Sequence, residues 1–206
     1  MTRNRLRIII WAAAVAAAAS IGGYALRIDR QNRSILEYME AGHMAEHCGD
    51  SRAAAANYKR ALSLDAKYLP ARIALADVHL SNGNEKRALE TLRRGVVADA
   101  NNADAYAAFA HALIECRHYP EAIRHLGRAV EIAPRDTSLR RLLAYCYRRH
   151  GDVAAANRQL TQIDKIAPDS PAASAARRAL ERSRKQLALQ HRIKDQSGLR
   201  PARARP

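Results

Sequence analysis

The chain has 206 residues, of which 48% are apolar and only 5% aromatic, with alanine abundant throughout. That length allows one domain with an accessory segment, and that composition excludes a β-sandwich or barrel, which draws on β-branched and aromatic side chains. An apolar share this large excludes disorder for the bulk, and three Cys exclude a disulfide-stapled scaffold.

The net charge of +15 lies at the two ends. Residues 1–33 hold six Arg against Asp29, and residues 177–206 hold ten Lys and Arg against Glu181 and Asp195. The middle, 34–176, has 19 basic and 17 acidic side chains. A folded nucleic-acid-binding body carries a basic face of its own, so the balance of the middle disfavours nucleic acid as the partner.

The first predicted element is the uncharged run Ile8 to Leu26, IIIWAAAVAAAASIGGYAL. As a helix its 19 residues span roughly 28 Å, about the hydrocarbon thickness of a bilayer. Arg3, Arg5 and Arg7 precede it, and Arg27, Arg30 and Arg33 follow. Trp11 and Tyr24 stand near its ends, where amphipathic rings favour the membrane interface. We expect 1–7 to be a basic cytoplasmic stub, 8–26 a transmembrane anchor or signal, and 27–34 a linker. Gly23-Tyr24-Ala25 leaves a cleaved signal peptide as the alternative. Retention of the Arg-bearing stub predicts an N-terminus in the cytoplasm and a body outside it.

The body repeats with a period of 34, in windows 35–68, 69–102, 103–136 and 137–170. The eighth place reads Gly42, Ala76, Ala110 and Ala144, and the twentieth Ala54, Ala88, Ala122 and Ala156. The twenty-fourth reads Tyr58, Leu92, Leu126 and Leu160. Small residues at two places and a large one at a third describe two antiparallel helices whose axes approach closely. Gly49, Gly83 and Gly151 fill the fifteenth place, suited to the left-handed turn that ends a helix, with Arg117 in the remaining window. Asp50 and Asp152 then stand where they can cap the next helix.

These windows resemble tetratricopeptide repeats, most closely in 103–136, ADAYAAFAHALIECRHYPEAIRHLGRAVEIAPRD. They depart from the pattern at the fourth place, where Arg72 and Arg140 replace a large apolar residue. The resemblance, which covers 35–170, implies an all-α, right-handed α-solenoid of four helix pairs; the run 8–26 places a transmembrane helix before it. Residues 171–193 read as a capping helix with Ala173, Ala176, Leu180 and Leu187 on one stripe, and 194–206 as a disordered basic tail.

No phosphate-binding Gly loop, CxxC, GxSxG or HExxH occurs, so no residue is assigned a catalytic role and no cofactor is expected. His43 and His47, four apart on one helix face, support an alternative reading as a metal-binding pair. The resemblance instead implies a peptide groove lined by the first helix of each repeat. At its places stand Met39, His43, Ile73, Asp77, His111, Ile114, Arg141, Tyr145, Arg148 and Arg149, with Arg182 extending the row. The groove is then acidic and apolar at its N-terminal end and basic at its C-terminal end, fitted to a peptide with an acidic or C-terminal carboxylate group. The Lys/Asn/Arg clamp with which family members hold chaperone tails is missing, since its places hold Met39, His43, Ala74, Asp104 and Ala108. The expected function is a scaffold anchored in a bacterial inner membrane with its body in the periplasm, serving pilus, secretion or outer-membrane assembly. The alternative is a cleaved, soluble periplasmic form. Twenty-nine Arg against six Lys suit the GC-rich genome of a bacterium.

Overall fold

The computed structural model describes residues 27–196, and among them the chain forms nine helices and no strand. Helix α1 covers 27–47. It is followed by α2 (Ser51–Leu64), α3 (Leu69–Ser81), α4 (Glu85–Ala98), α5 (Ala103–Glu115), α6 (Tyr119–Ile132), α7 (Thr137–His150), α8 (Val153–Ile166) and α9 (Pro171–Gln196). Each window contributes two of them, and α9 stands alone at the end. The expected stub and anchor lie outside the described residues, and among those described no helix is long and apolar enough to cross a membrane.

Two boundaries differ from the sequence reading. The stretch 27–34, read as a linker, is the first part of α1. It has neither Gly nor Pro, and Arg33 pairs with Asp29 one turn earlier at 3.3 Å. At the other end α9 runs to Gln196, three residues into the expected tail.

The helix ends are built as the Asp and Gly pattern requires. Asp50 accepts a hydrogen bond from the Ala53 amide at 2.9 Å, and Asp152 from Ala155 at 2.8 Å. Asn102 and Asp136 cap α5 and α7 in the same way. Such caps contribute about 1 kcal/mol each. Four first helices close in one motif, in which two successive amides return to the last turn. At α5 the amide of Arg117 donates to Ile114 and that of His118 to Leu113, at 2.9 and 2.7 Å.

Arg117 holds φ 61°, beside 75°, 72° and 97° at the three equivalent glycines. A side chain in that conformation crowds its own carbonyl, at about 1–2 kcal/mol, part of which glycine's extra freedom in the unfolded chain offsets. Arg117→Gly is expected to raise stability by about 0.5–1 kcal/mol. The thermal midpoint should rise by about 1–4 °C, and a fall would contradict the left-handed turn.

The chain divides into two compact units, one ending at Thr91 and the other starting at Leu92. In the first, Ile35, Met39, Ala54, Tyr58, Ala61, Ala71, Leu75 and Val78 form one core. In the second, α5 packs on α6, α6 on α7, α7 on α8 and α8 on α9. The four alanines of the twentieth place are all fully buried.

The fourth-place arginines have a shared structural use. Arg72, 7% exposed, donates to the carbonyl of Ala66 in the preceding turn and to that of Thr91 on α4. Arg140 donates to Pro134 through Nε and Nη2, at 3.2 and 2.9 Å, and to Gln159 Oε1 on α8 at 3.2 Å. Ala66 and Pro134 occupy the thirty-second place of their windows, and Thr91 and Gln159 the twenty-third. The guanidinium thus fills a large residue's place while tying the inter-repeat turn to the second helix, with carbonyls it satisfies by charge-assisted bonds.

Helix α9 ends the array. Ala173 and Ala176 are buried in it, and Leu180 packs beside the cluster of Ala144, Ala156, Leu160 and Ile163. Its seventh and eighth places hold Arg177 and Arg178, where earlier first helices carry apolar or small residues. Arg177 pairs with Asp164 at 2.6 Å and donates to the Pro168 carbonyl at 2.8 Å. With 26 residues against the 14 of α8, α9 outruns its support. Leu187, expected on the packed stripe, is therefore 55% exposed.

Candidate functional site

In the first unit, α1 and α3 bring the expected groove places of their windows into view. Met39 is not among the exposed ones. It is 8% exposed and packed in the core with Tyr58 and Leu75, because a flexible thioether gains by filling that space rather than facing water. His43 is exposed, Ile73 half-buried and Asp77 exposed.

His43 belongs to a small polar network. The Tyr58 hydroxyl donates to Glu46 Oε2 at 2.6 Å and lies 3.0 Å from His43 Nδ1. A hydroxyl has one proton, so with it directed at Glu46 the imidazole Nδ1–H is the donor to the tyrosine oxygen. Burial and the Glu46 carboxylate hold the Tyr58 hydroxyl far above its ordinary pKa, so it stays protonated. His43 Nδ1 is thereby occupied, and His47 stands exposed. Among the described residues no group of three or more His, Cys, Asp or Glu is placed to hold a metal ion.

In the second unit the first helices α5, α7 and α9 present one row of depressions. The first, about 460 Å³, lies between α5 and α7 and is lined by Asp104, His111, Asp136, Arg141, Leu142 and Tyr145, among others. The second, about 210 Å³, lies between α7 and α9. Its floor is Ala144, Leu160, Ile163 and the alanines of α9, and its rim is Arg141, Tyr145 and Arg148. The third, about 370 Å³, has Arg148, Val153, Arg182, Ser183 and Gln186. Arg141 and Tyr145 join the first to the second, and Arg148 joins the second to the third.

His111, Arg141, Tyr145, Arg148 and Arg182 thus come together as the sequence places them. Ile114 is half-buried and lines none of these three depressions. Arg149 does not join them either. Its Nε donates to the Tyr119 hydroxyl at 3.1 Å, and its guanidinium carbon lies 5.4 Å from that ring's centroid, on α6. Positions 148 and 149 point about 100° apart around a helix, so one can face the row while its neighbour stacks on α6.

The sequence reading missed the floor supplied by Ala172, Ala175, Ala176 and Ala179. The signal was present: continuing the 34-residue register to Pro171 puts these four at the second, fifth, sixth and ninth places, all groove places. Cys48, Cys116 and Cys146 form no disulfide. Burial pushes the Cys146 thiol up to about 11, which leaves it unreactive at neutral pH.

A family model for the tetratricopeptide repeat matches residues 49–114 and 113–180. No curated protein sequence matches the chain. Among solved structures, PilF of Pseudomonas aeruginosa is 21% identical with a TM-score of 0.60, covering 84% of this chain and 80% of its own. A tetratricopeptide repeat protein from Parabacteroides merdae is 16% identical with a TM-score of 0.61, covering 79% and 65%. A MamA protein is 20% identical with a TM-score of 0.55, covering 85% of this chain and all of its own. At these identities the likeness is one of fold.

Proposed function

Because the chain belongs to the tetratricopeptide repeat family, a family of protein-interaction scaffolds, we propose that it is a membrane-anchored adaptor that binds a peptide segment of a protein partner along its first helices. The observation that carries this is the row of depressions along α5, α7 and α9, open to solvent, each lined by at least one arginine and the middle one floored by apolar side chains. The partner carries acidic or C-terminal carboxylate groups. The reading assigns no enzymatic activity to the chain.

The apolar run 8–26, flanked by arginines, supports anchorage in a bacterial inner membrane with the repeats in the periplasm. Assembly of pili, secretion machinery or outer-membrane proteins is the role this arrangement suits. Fusions of alkaline phosphatase and of a cytoplasm-dependent reporter at the C-terminus test the orientation. An active phosphatase is expected, and an inactive one with an active cytoplasmic reporter would reverse the topology. N-terminal sequencing of the membrane-bound protein separates an anchor, which begins at Met1, from a cleaved signal. In vivo crosslinking followed by capture from membranes tests the adaptor role. A partner lost when Arg141 and Arg148 are both replaced by Ser supports it, and one retained by every variant of the row overturns it.

A further inference from the structure

The second and third depressions share a wall, α9, and a cation, Arg148. Building on the adaptor reading, we propose that the cleft between α7 and α9 is a specific site for an extended acidic segment. An apolar side chain enters the alanine floor, and carboxylates three residues apart meet Arg141 and Arg148, with Arg182 beyond.

Charge comes first. Among the described residues no carboxylate forms an ion pair with Arg141, Arg148 or Arg182, whereas Arg33, Arg124, Arg128 and Arg177 each have one. Arg141 and Arg148 on the rim of the second depression, and Arg148 and Arg182 in the third, set like charges side by side, and an incoming anion relieves their repulsion. Arginine is also the side chain best shaped to hold a carboxylate through two parallel bonds.

Spacing comes second. Arg141 and Arg148 are seven residues apart on α7, a rise of about 10.5 Å. Three residues of an extended polyproline II segment rise about 9 Å and return side chains i and i+3 to one face, so acids at that spacing match the two arginines. Side chain i+1 of such a segment, between the two acids, is then placed to enter over the floor of Ala144, Leu160, Ile163 and the α9 alanines. The cavity of about 210 Å³ between the rims has room for one aliphatic side chain.

The occupant is another molecule and not a second copy. The one pair of acidic residues three apart in the sequence, Glu37 and Glu40, is held within helix α1 and not in an extended segment, and 20 acidic side chains face 35 basic ones. A chain of this composition has no acidic run to offer its own cleft.

Binding of fluorescein-labelled Ser-Glu-Leu-Ser-Glu-Ser to the full chain in detergent micelles, read by fluorescence anisotropy, tests the site. The expected result is saturable binding that weakens with added salt, about tenfold weaker for a peptide with Gly in place of Leu. Arg148→Ser is expected to weaken it about five- to tenfold, and the Arg141→Ser/Arg148→Ser/Arg182→Ser variant about a hundredfold. Ala175→Leu, which fills the cleft from α9, should act like loss of the leucine. Arg149→Ser, whose side chain lies on Tyr119, should leave affinity unchanged. Amidating the peptide's C-terminus separates side-chain from terminal carboxylates: unchanged binding assigns the site to side chains, as proposed, and lost binding overturns that assignment.

Equal affinity for a Lys-for-Glu peptide, indifference to Arg148→Ser, or displacement by a short oligothymidylate would overturn the site. Circular dichroism checks that each variant is folded, and the single Arg148→Ser variant suffices if the triple one is not. Failure of the peptide with a crosslinked partner still captured removes this site and leaves the adaptor. Failure of both removes both.

Discussion

Gly42→Ala is expected to destabilise the first unit by about 1–3 kcal/mol or more, a loss out of proportion to one methyl group. A Cβ at position 42 would lie 2.7 Å from Cζ and 2.8 Å from Cδ1 of Tyr58. The ring cannot swing aside, because its hydroxyl is bonded to Glu46 and lies against His43, and its body is fully buried. The other three windows carry Ala at the eighth place and Leu at the twenty-fourth, while the first carries Gly42 and Tyr58. One pair is a volume-exchanged version of the other. Tyr58→Leu alone should also destabilise, by opening a cavity and stranding the Glu46 partner. The double variant Gly42→Ala/Tyr58→Leu should recover much of both losses, so a thermodynamic cycle on the four proteins should show coupling well above 0.5 kcal/mol. Additive losses would mean that the two residues do not share one space.

Ala122→Leu should be as damaging in the second unit. Ala122 is fully buried on α6 at the twentieth place, where the paired helices approach. A branched side chain there forces the helices apart, at about 1–3 kcal/mol or more. The register alone suggests Ala105→Leu as a mild comparison, but Ala105 is 2% exposed and belongs to the same packed interior. Both substitutions are therefore expected to lower the thermal midpoint. The mild one is Ala56→Leu, on the exposed side of α2, which should stay within about 0.5 kcal/mol of the parent. Equal midpoints for Ala122→Leu and Ala56→Leu would count against the helix-pair packing.

What could be read in the sequence divides along physical lines. Backbone punctuation was legible, because Asp50, Asp152 and the fifteenth-place glycines act on bonds within a few residues. The buried alanines were legible because four copies of one packing solution stand in register. The groove was legible as a set of places and only in part as a set of contacts. Arg141 and Arg148 line depressions, whereas Arg149 is drawn to Tyr119, thirty residues away. Met39 turned inward for the same kind of reason: its rotamer answers to Tyr58 and Leu75, neighbours that no local spacing reveals. Arg72 and Arg140 looked like defects in the repeat until their carbonyl partners were visible.

Arg177 and Arg178 make α9 an end group in the polymer chemist's sense. Every internal first helix offers a greasy seventh and a small eighth place, so a copied 34-residue block inserted at an internal boundary meets a surface like the one it left. A block spliced after Gln196 meets two guanidinium groups, one already committed to Asp164 and Pro168. Such an array is expected to lengthen more readily from within than at its tail, and a longer version built there is expected to need those two codons rewritten.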